Sequence, residues 1–476
     1  MKNIFYILFE IILFSQLMIS CTMTSNYDEQ FYPEILLYND KSDFKLYRVP
    51  VFDNFNFSIN YPNILFIDVK SKIFKTQCIY SHENNLKKYR FDIKTIKERN
   101  NLLFNSNIFE KSNNNFDILD PITNDFMMRS LKLGTACLMD LENSCQTIFE
   151  LTNEFRTNNA LTKNTSDSTP ETYYLTNNRI LRPLLTAYSY ASQKIGRPDD
   201  DIKNKQWFLK AIYQNTFDPR PNQINRERDF ERSALGDCNK DLRTAVGQNH
   251  HTQSGLIYEM YGVLWNIPEY AAIGLDAANA ALKSVDEKGA LVCDAARGAN
   301  AIAYQGFNLS NIVSILTIAN NQKNNINKLP EINSLHRAVK FQLDLLYDKT
   351  QIYSYSKRMV ASLCSNNYKE QCFHSDGLRH AAFGWVIPYQ KLFPQHENSK
   401  KIKKIFRQII NDKIEDNELK RNLNAFAKGR IPTYLFKKNM IYEFQSDWDD
   451  QTRFIYDDLS HATNGSPICM YGFPEY

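Results

Sequence analysis

The sequence predicts a mainly α-helical protein, and three observations carry that prediction. From Asp125 onward, apolar residues recur at three- and four-residue spacing through most of the chain. The segment 268–284 is lined by Ala271, Ala272, Ala277, Ala278, Ala280 and Ala281, small residues with the strongest helix preference. Runs rich in β-branched and aromatic residues are short and fall within residues 22–120. No repeat of fixed length is present, so the chain does not read as a plain repeat solenoid.

Residues 1–20 read as an export signal. Lys2 supplies a short positive start and Ile4–Ile19 is mostly apolar. Ser20-Cys21 resembles a bacterial lipoprotein cleavage box. Cys21 is therefore the expected lipidated residue, and the periplasm or cell envelope the expected location. No later segment reads as a membrane span.

Residues 21–124 are expected to form an N-terminal extension. Phe44–Val49, Ile64–Val69 and Lys75–Tyr80 read as short extended segments. Lys87, Lys88, Tyr89 and Arg90 follow as a basic loop bearing a tyrosine.

Residues 125–476 are expected to form the helical domain. Periodicity predicts helices over 127–143, 143–156 and 171–195, with Pro183 marking a kink or a late start. Asp199-Asp-Asp201 is an acidic helix entrance, followed by the apolar face of Ile202, Trp207, Phe208 and Ile212. Residues 216–248 are polar and aperiodic; a long stretch of that kind inside a compact domain is usually disordered or functional. Arg243, close to its end, is a candidate substrate contact. Further helices are predicted at 251–265, 268–284, 297–320, 331–348, 376–392 and 399–415. Residues 417–476 show no clear pattern. Their Asp447-Trp448-Asp449-Asp450 cluster is a poor acid/base pair, because adjacent residues do not face each other on a helix.

The chain has 476 residues, enough for one large domain or two. Its net charge of +4 is too small to indicate nucleic acid and is compatible with a polyanionic sugar. Of nine cysteines, eight remain once Cys21 is set aside. An even count suits disulfides in an oxidising compartment, although eight cysteines allow on the order of a hundred connectivities. Cys137–Cys145 and Cys364–Cys372 are the sequence-local pairings. The spacings match no zinc site, and no metal or other cofactor is expected.

The stretch with the most chemical content runs from Gln248 to Asn308. Asn249-His250 opens a helical segment. About fifty residues on comes Asp294-Ala-Ala-Arg297, then Ala301-Ile-Ala-Tyr304. Seven residues on one helix would put Arg297 and Tyr304 about 20° apart around the axis and roughly 10 Å apart along it. An amide, an imidazole, a fixed cation and a weak acid together suit removal of a proton next to a carboxylate.

These residues resemble the alginate lyase family, whose pattern reads Asn-Asn-His, then Leu-Pro-x-Glu-x-x-Arg, then Ala-Leu-Ala-Tyr. Phe383-Gly-Trp385-Val-Ile-Pro388-Tyr389 is similar to the family's Phe-x-Trp-Leu-x-Pro-Tyr. The similarity spans roughly 125–395 and is sharp over 248–310. Asp294 stands where the family has Glu, a second His follows His250, and the Pro is missing. The resemblance implies an incomplete α/α toroid with a cleft lined by its inner helices. It implies a monomer that breaks an anionic polysaccharide, polymannuronate, by β-elimination without a metal. Asn249 and Arg297 would hold the sugar carboxylate, and His250 would neutralise it or act as base. Tyr304 would protonate the leaving oxygen and could also take the C5 proton, with Arg297 supplying positive charge beside it. Asp294 would orient the guanidinium. Lys87, Lys88 and Tyr89 would belong to a lid, and Arg243 and Trp385 would contact substrate. The alternatives are a lyase on another acidic glycan such as glucuronan, and a glycan-binding surface lipoprotein without catalysis. The latter would not need Asn249, His250, Arg297 and Tyr304 together. A glycoside hydrolase is disfavoured, since no convincing carboxylate pair is present.

Overall fold

Residues 249–321 fold into the buried centre of the protein. The computed structural model describes residues 57–71, 92–105, 108, 116–162, 175–215, 249–358, 365–371, 384–410 and 414–426. Among the described residues the regular structure is helical, with no strand and a single isolated bridge between Val285 and Leu291. In chain order the helices are α1 (Ile93–Arg99), α2 (Phe116–Leu138), α3 (Ser144–Thr157), α4 (Arg182–Ile195), α5 (Asp201–Asn215), α6 (Asn249–Trp265) and α7 (Pro268–Lys283). They continue as α8 (Val292–Ala295), α9 (Ala301–Asn321), α10 (Ile332–Asp344), α11 (Tyr353–Ser356), α12 (Val386–Leu392), α13 (Glu397–Ile410) and α14 (Asn417–Phe426). The mainly α reading holds.

The α6–α7 hairpin shows why these residues fold as they do. Asn266 takes a left-handed φ of 55°, which asparagine tolerates, and the Ile267 N–H returns to the Gly262 carbonyl at 2.8 Å. Pro268 then opens α7, where its missing N–H costs nothing. The two helices run antiparallel in near backbone contact. A Cβ on Gly262 would lie 2.2 Å from the Ala271 nitrogen, and one on Gly255 would lie 2.4 Å from the Ala277 Cβ. The alanine face therefore exists to be approached.

Helix α6 is buried along its whole length, and α9 is buried from Ala301 to Ala319. By length and composition Gly298–Asn321 is apolar enough to cross a membrane, contrary to the expectation above. Its burial on every side inside the protein makes it the core helix instead. The helices around it bury one face. Helix α10 turns Leu335, Ala338, Val339 and Leu343 inward, and α13 does the same with Ile402, Ile405 and Phe406. Wholly buried inner helices stand behind amphipathic outer ones, a layered helical fold.

Other expectations are corrected in detail. The helix expected at 127–143 starts earlier and ends earlier, at Phe116 and Leu138. It stops because Asp140 and Glu142 adopt φ of 57° and 46° in the turn to α3, which the Cys137–Cys145 disulfide closes. That pairing was expected. Cys293 is also disulfide-bonded; its partner and the expected Cys364–Cys372 pair lie outside the described residues. Pro183 occupies the first turn of α4, preceded by a π-helical turn over Asn177–Leu181. Residues 417–426, where no pattern was legible, form α14.

Ile64–Val69 does not form a strand, although Leu65, Phe66 and Ile67 are buried as a strand's would be. Side-chain amides from two helices replace the missing strand partner. Asn321 Nδ2 donates to the Leu65 carbonyl at 2.8 Å, and Gln322 Nε2 to that of Ile64 at 2.7 Å. Gln193 accepts from the Val69 N–H at 3.3 Å and donates to the Ile67 carbonyl at 3.0 Å. Buried backbone groups must be paired, and here amides suffice. Phe44–Val49 and Lys75–Tyr80 lie outside the described residues.

Candidate active site

Asn249 and His250 are the first residues of α6. A helix start leaves backbone N–H groups without helical partners. The Asn249 N–H points at Asp294 Oδ1, 3.5 Å away, and Asn249 Nδ2 donates to the same oxygen at 2.6 Å. The other Asp294 oxygen accepts from Asn308 Nδ2 at 2.6 Å. Asn308 lies one turn beyond Tyr304 on α9. The Asp294 carboxylate thus holds one amide from each central helix. Thr252 donates to Asn308 Oδ1 at 2.7 Å, and Asn311 Nδ2 donates to the Asn249 carbonyl at 3.1 Å. Asn249, Asp294, Thr252, Asn308 and Asn311 are all buried.

Arg297 is not on the helix that carries Tyr304, as its spacing had predicted. Gly298 takes φ of 56°, a short 3-10 turn covers Gly298–Asn300, and α9 begins only at Ala301. The fold-back removes the two-turn separation. The guanidinium carbon of Arg297 sits 4.0 Å from the centroid of the Tyr304 ring, a cation–π contact. Gln371 braces this turn: its Nε2 donates to the Gly298 carbonyl at 3.0 Å, and its Oε1 accepts from the Ile302 N–H at 3.2 Å. The expected role of Asp294 is also corrected. Its hydrogen bonds go to Asn249 and Asn308, and Arg297 acts on it through charge.

Burial sets the protonation states. It pushes the Asp294 carboxyl up to about 6, against the opposing pull of the Asn249 and Asn308 hydrogen bonds and the Arg297 charge. Burial, with the Arg297 charge adding to it, holds His250 down at about 3. His250 is therefore neutral at pH 7. His250, Arg297 and Tyr304 keep 8, 8 and 9% of their surface exposed, while Asn249 keeps none. Three reactive groups thus reach the edge of a buried polar network. Among the described residues no group of three His, Cys, Asp or Glu side chains could hold a metal ion.

Trp385 is wholly buried and packs edge-on against Tyr389. Lys87, Lys88, Tyr89, Arg243 and Cys21 lie outside the described residues. Asn308, Asn311 and Thr252 were not singled out from the sequence. Asn308 and Asn311 stand four and seven residues after Tyr304, on the same face of the helix, and that polar stripe is the signal that marks them.

Residues 231–352, which contain this entire constellation, match the family model described as alginate lyase. The match covers 122 of the 476 residues. Among solved structures, a tyrosine-to-phenylalanine variant of alginate lyase A1-III complexed with tetrasaccharide is similar at 15% identity and a TM-score of 0.46, covering 60% of this chain and 71% of that one. A histidine-to-alanine variant of the same lyase, also complexed with tetrasaccharide, gives 16% identity and a TM-score of 0.44, with 58% and 69% covered. The apo form of the latter gives 15% and 0.45, with 59% and 70% covered. No curated protein matches the chain.

Proposed function

We propose that this protein is a polysaccharide lyase that cleaves a mannuronate-rich alginate chain by metal-independent β-elimination. The observation that carries the reading is the Arg297–Tyr304 contact beside the start of α6, which brings four groups suited to one reaction into one place.

The C5 hydrogen of a uronate becomes acidic only when the negative charge of its carboxylate is offset. Arg297 and the Asn249 amide hold that carboxylate and stabilise the enediolate that develops on it. His250, with a pKa held near 3, is a weak base. It serves as a neutral hydrogen-bonding partner to the carboxylate. Tyr304 takes the C5 proton as phenolate, the electron pair forms the C4–C5 double bond, and the C4–O4 bond breaks. The proton on Tyr304 then passes to O4 of the leaving chain. Asp294 is sealed by its two amides and takes no direct part.

The proposed location is the periplasm or cell envelope, supported by the disulfides at Cys137–Cys145 and at Cys293. The test is to incubate the purified protein with polymannuronate, polyguluronate and polyglucuronate in EDTA and to follow ultraviolet absorbance of the unsaturated product. Signal on polymannuronate, lost in Tyr304→Phe, is the expected result. Preference for another polymer revises the substrate. Binding without any product sinks the lyase reading.

A further inference from the structure

We propose that Asp294 is the positioning residue of this site, acting through Asn249 by fixing which way its amide points. The inference rests on the functional reading above and adds a member that touches no substrate.

The geometry is that of a two-armed clamp. One carboxylate oxygen takes the Asn249 amide at 2.6 Å, and the other takes the Asn308 amide at 2.6 Å. An ionised carboxylate only accepts hydrogen bonds, so both amides must present their NH2 ends to it. Thr252 Oγ1 has two acceptors in reach, Asn308 Oδ1 at 2.7 Å and the Asn249 carbonyl at 3.0 Å, and donation to the nearer one favours the same sense of the second arm. Asn249 has one NH2 hydrogen committed to Asp294 and a second left to donate. With the nitrogen pinned, that second hydrogen has a fixed direction. A free amide in the same place could flip and present its oxygen to the sugar carboxylate, which would repel it. The clamp also joins the three elements that carry the reacting groups: Asn249 and His250 on α6, Arg297 directly after α8, and Tyr304 on α9.

Asp294→Asn is the informative substitution because it preserves shape. It replaces one acceptor oxygen with an NH2 group, so one arm must meet NH2 with NH2. Either Asn308 or Asn249 then turns over. Misdirection at a reacting centre costs between about ten- and a hundredfold in rate. The expected result is a fall in kcat of that size with KM changed less than threefold, at a temperature well below the melting transition of the variant. Asp294→Glu restores two acceptor oxygens and is expected to recover most of the loss. In an Asn249→Ala background, Asp294→Asn is expected to cost less than a further twofold, because its effect passes through Asn249. Full additivity in that cycle overturns the proposal, as does unchanged kcat in Asp294→Asn.

A second readout separates this proposal from the functional one. With asparagine labelled by 15N, the side-chain amide of Asn249 is identified by its loss in Asn249→Ala. It is expected to exchange slowly in the wild type and in Asp294→Glu, and fast in Asp294→Asn. Wild-type protein inactive on every uronate polymer, but with this exchange pattern, sinks the lyase reading and retains the clamp. Identical exchange in wild type and Asp294→Asn sinks the clamp whatever the activity.

Discussion

The guanidinium carbon of Arg297 lies 4.0 Å from the centre of the Tyr304 ring, although the two residues belong to different elements. The contact depends on a planar cation, which lysine cannot supply. Arg297→Lys is expected to keep the charge, lose the stacking, and lower kcat/KM at least about a hundredfold, the scale of losing one transition-state donor. Steady-state kinetics on polymannuronate decide this. A loss under threefold would mean that charge alone matters.

Tyr304→Phe removes the proposed proton carrier and leaves the ring on which Arg297 rests. Turnover is expected to fall by about 10²–10⁴, the range of general acid–base contributions. Calorimetric binding of a mannuronate oligosaccharide should remain within a few-fold of wild type. Loss of binding together with turnover would assign Tyr304 to holding substrate.

The pH profile should report Asp294 and not His250. His250, held near 3, stays neutral across the working range. Asp294, raised to about 6, is ionised above that pH and accepts from both amides. Protonation turns one acceptor into a hydroxyl and breaks an arm. Activity is therefore expected to fall as pH drops through about 6. Stability moves the other way. Between the ordinary carboxylate value of 3.8 and about 6 the native state holds a proton that the unfolded chain has released, so this group's contribution to stability rises as pH falls through that window. Thermal melting of wild type minus Asp294→Asn, from pH 7 to pH 4, isolates the effect. A difference that shrinks on acidification contradicts it.

A second cluster should lose stability in acid. His336 Nδ1 lies 2.8 Å and His396 Nδ1 3.0 Å from the Tyr389 hydroxyl, and the two imidazoles stack with centroids 3.8 Å apart. Asn398 Nδ2 also donates to that hydroxyl, at 3.2 Å. Burial, then the neighbouring His396, brings His336 down to about 4, and burial lowers His396 against the pull of Glu397. Lowered folded values mean stability that is present above 6.5 and lost as pH falls from there through about 4. His336→Gln is expected to flatten the acid dependence of the urea midpoint. An unchanged slope would clear the cluster of any such role.

Gly262→Ala should destabilise the core. The added methyl would sit 2.2 Å from the Ala271 nitrogen and 2.8 Å from its Cα, which are backbone atoms that cannot turn aside. Overpacking of this kind costs about 1–3 kcal/mol. Denaturant unfolding of the variant measures it; no shift in midpoint would mean that α6 and α7 separate freely.

Much of this protein is legible in its sequence. The helical class follows from apolar spacing, because a helix in water must bury a stripe. The α6–α7 hairpin follows from Asn266 and Pro268, whose backbone preferences end one helix and start the next. Asn249, His250, Arg297 and Tyr304 stand out as a set through their order and types. Their relative placement is another matter. Equal spacing is compatible with a continuous helix, and nothing local announces that Gly298 will turn left-handed and fold Arg297 back onto Tyr304.

Asp294 shows the same division. Its sequence neighbour Arg297 is the obvious partner, yet its carboxylate reaches Asn249, 45 positions away, and Asn308 on another helix. Likewise Ile64–Val69 has a strand's composition but finds side-chain amides where a strand partner would be. By itself the sequence indicated most of the helices, the apolar faces and the residues proposed to carry the chemistry, since these are properties of a residue and its near neighbours. Only the tertiary structure decided which carboxylate holds which amide and which cation lies on which ring. Those pairings, like the burial that moves His250 and Asp294 in opposite directions, arise from groups that meet only once distant helices have packed.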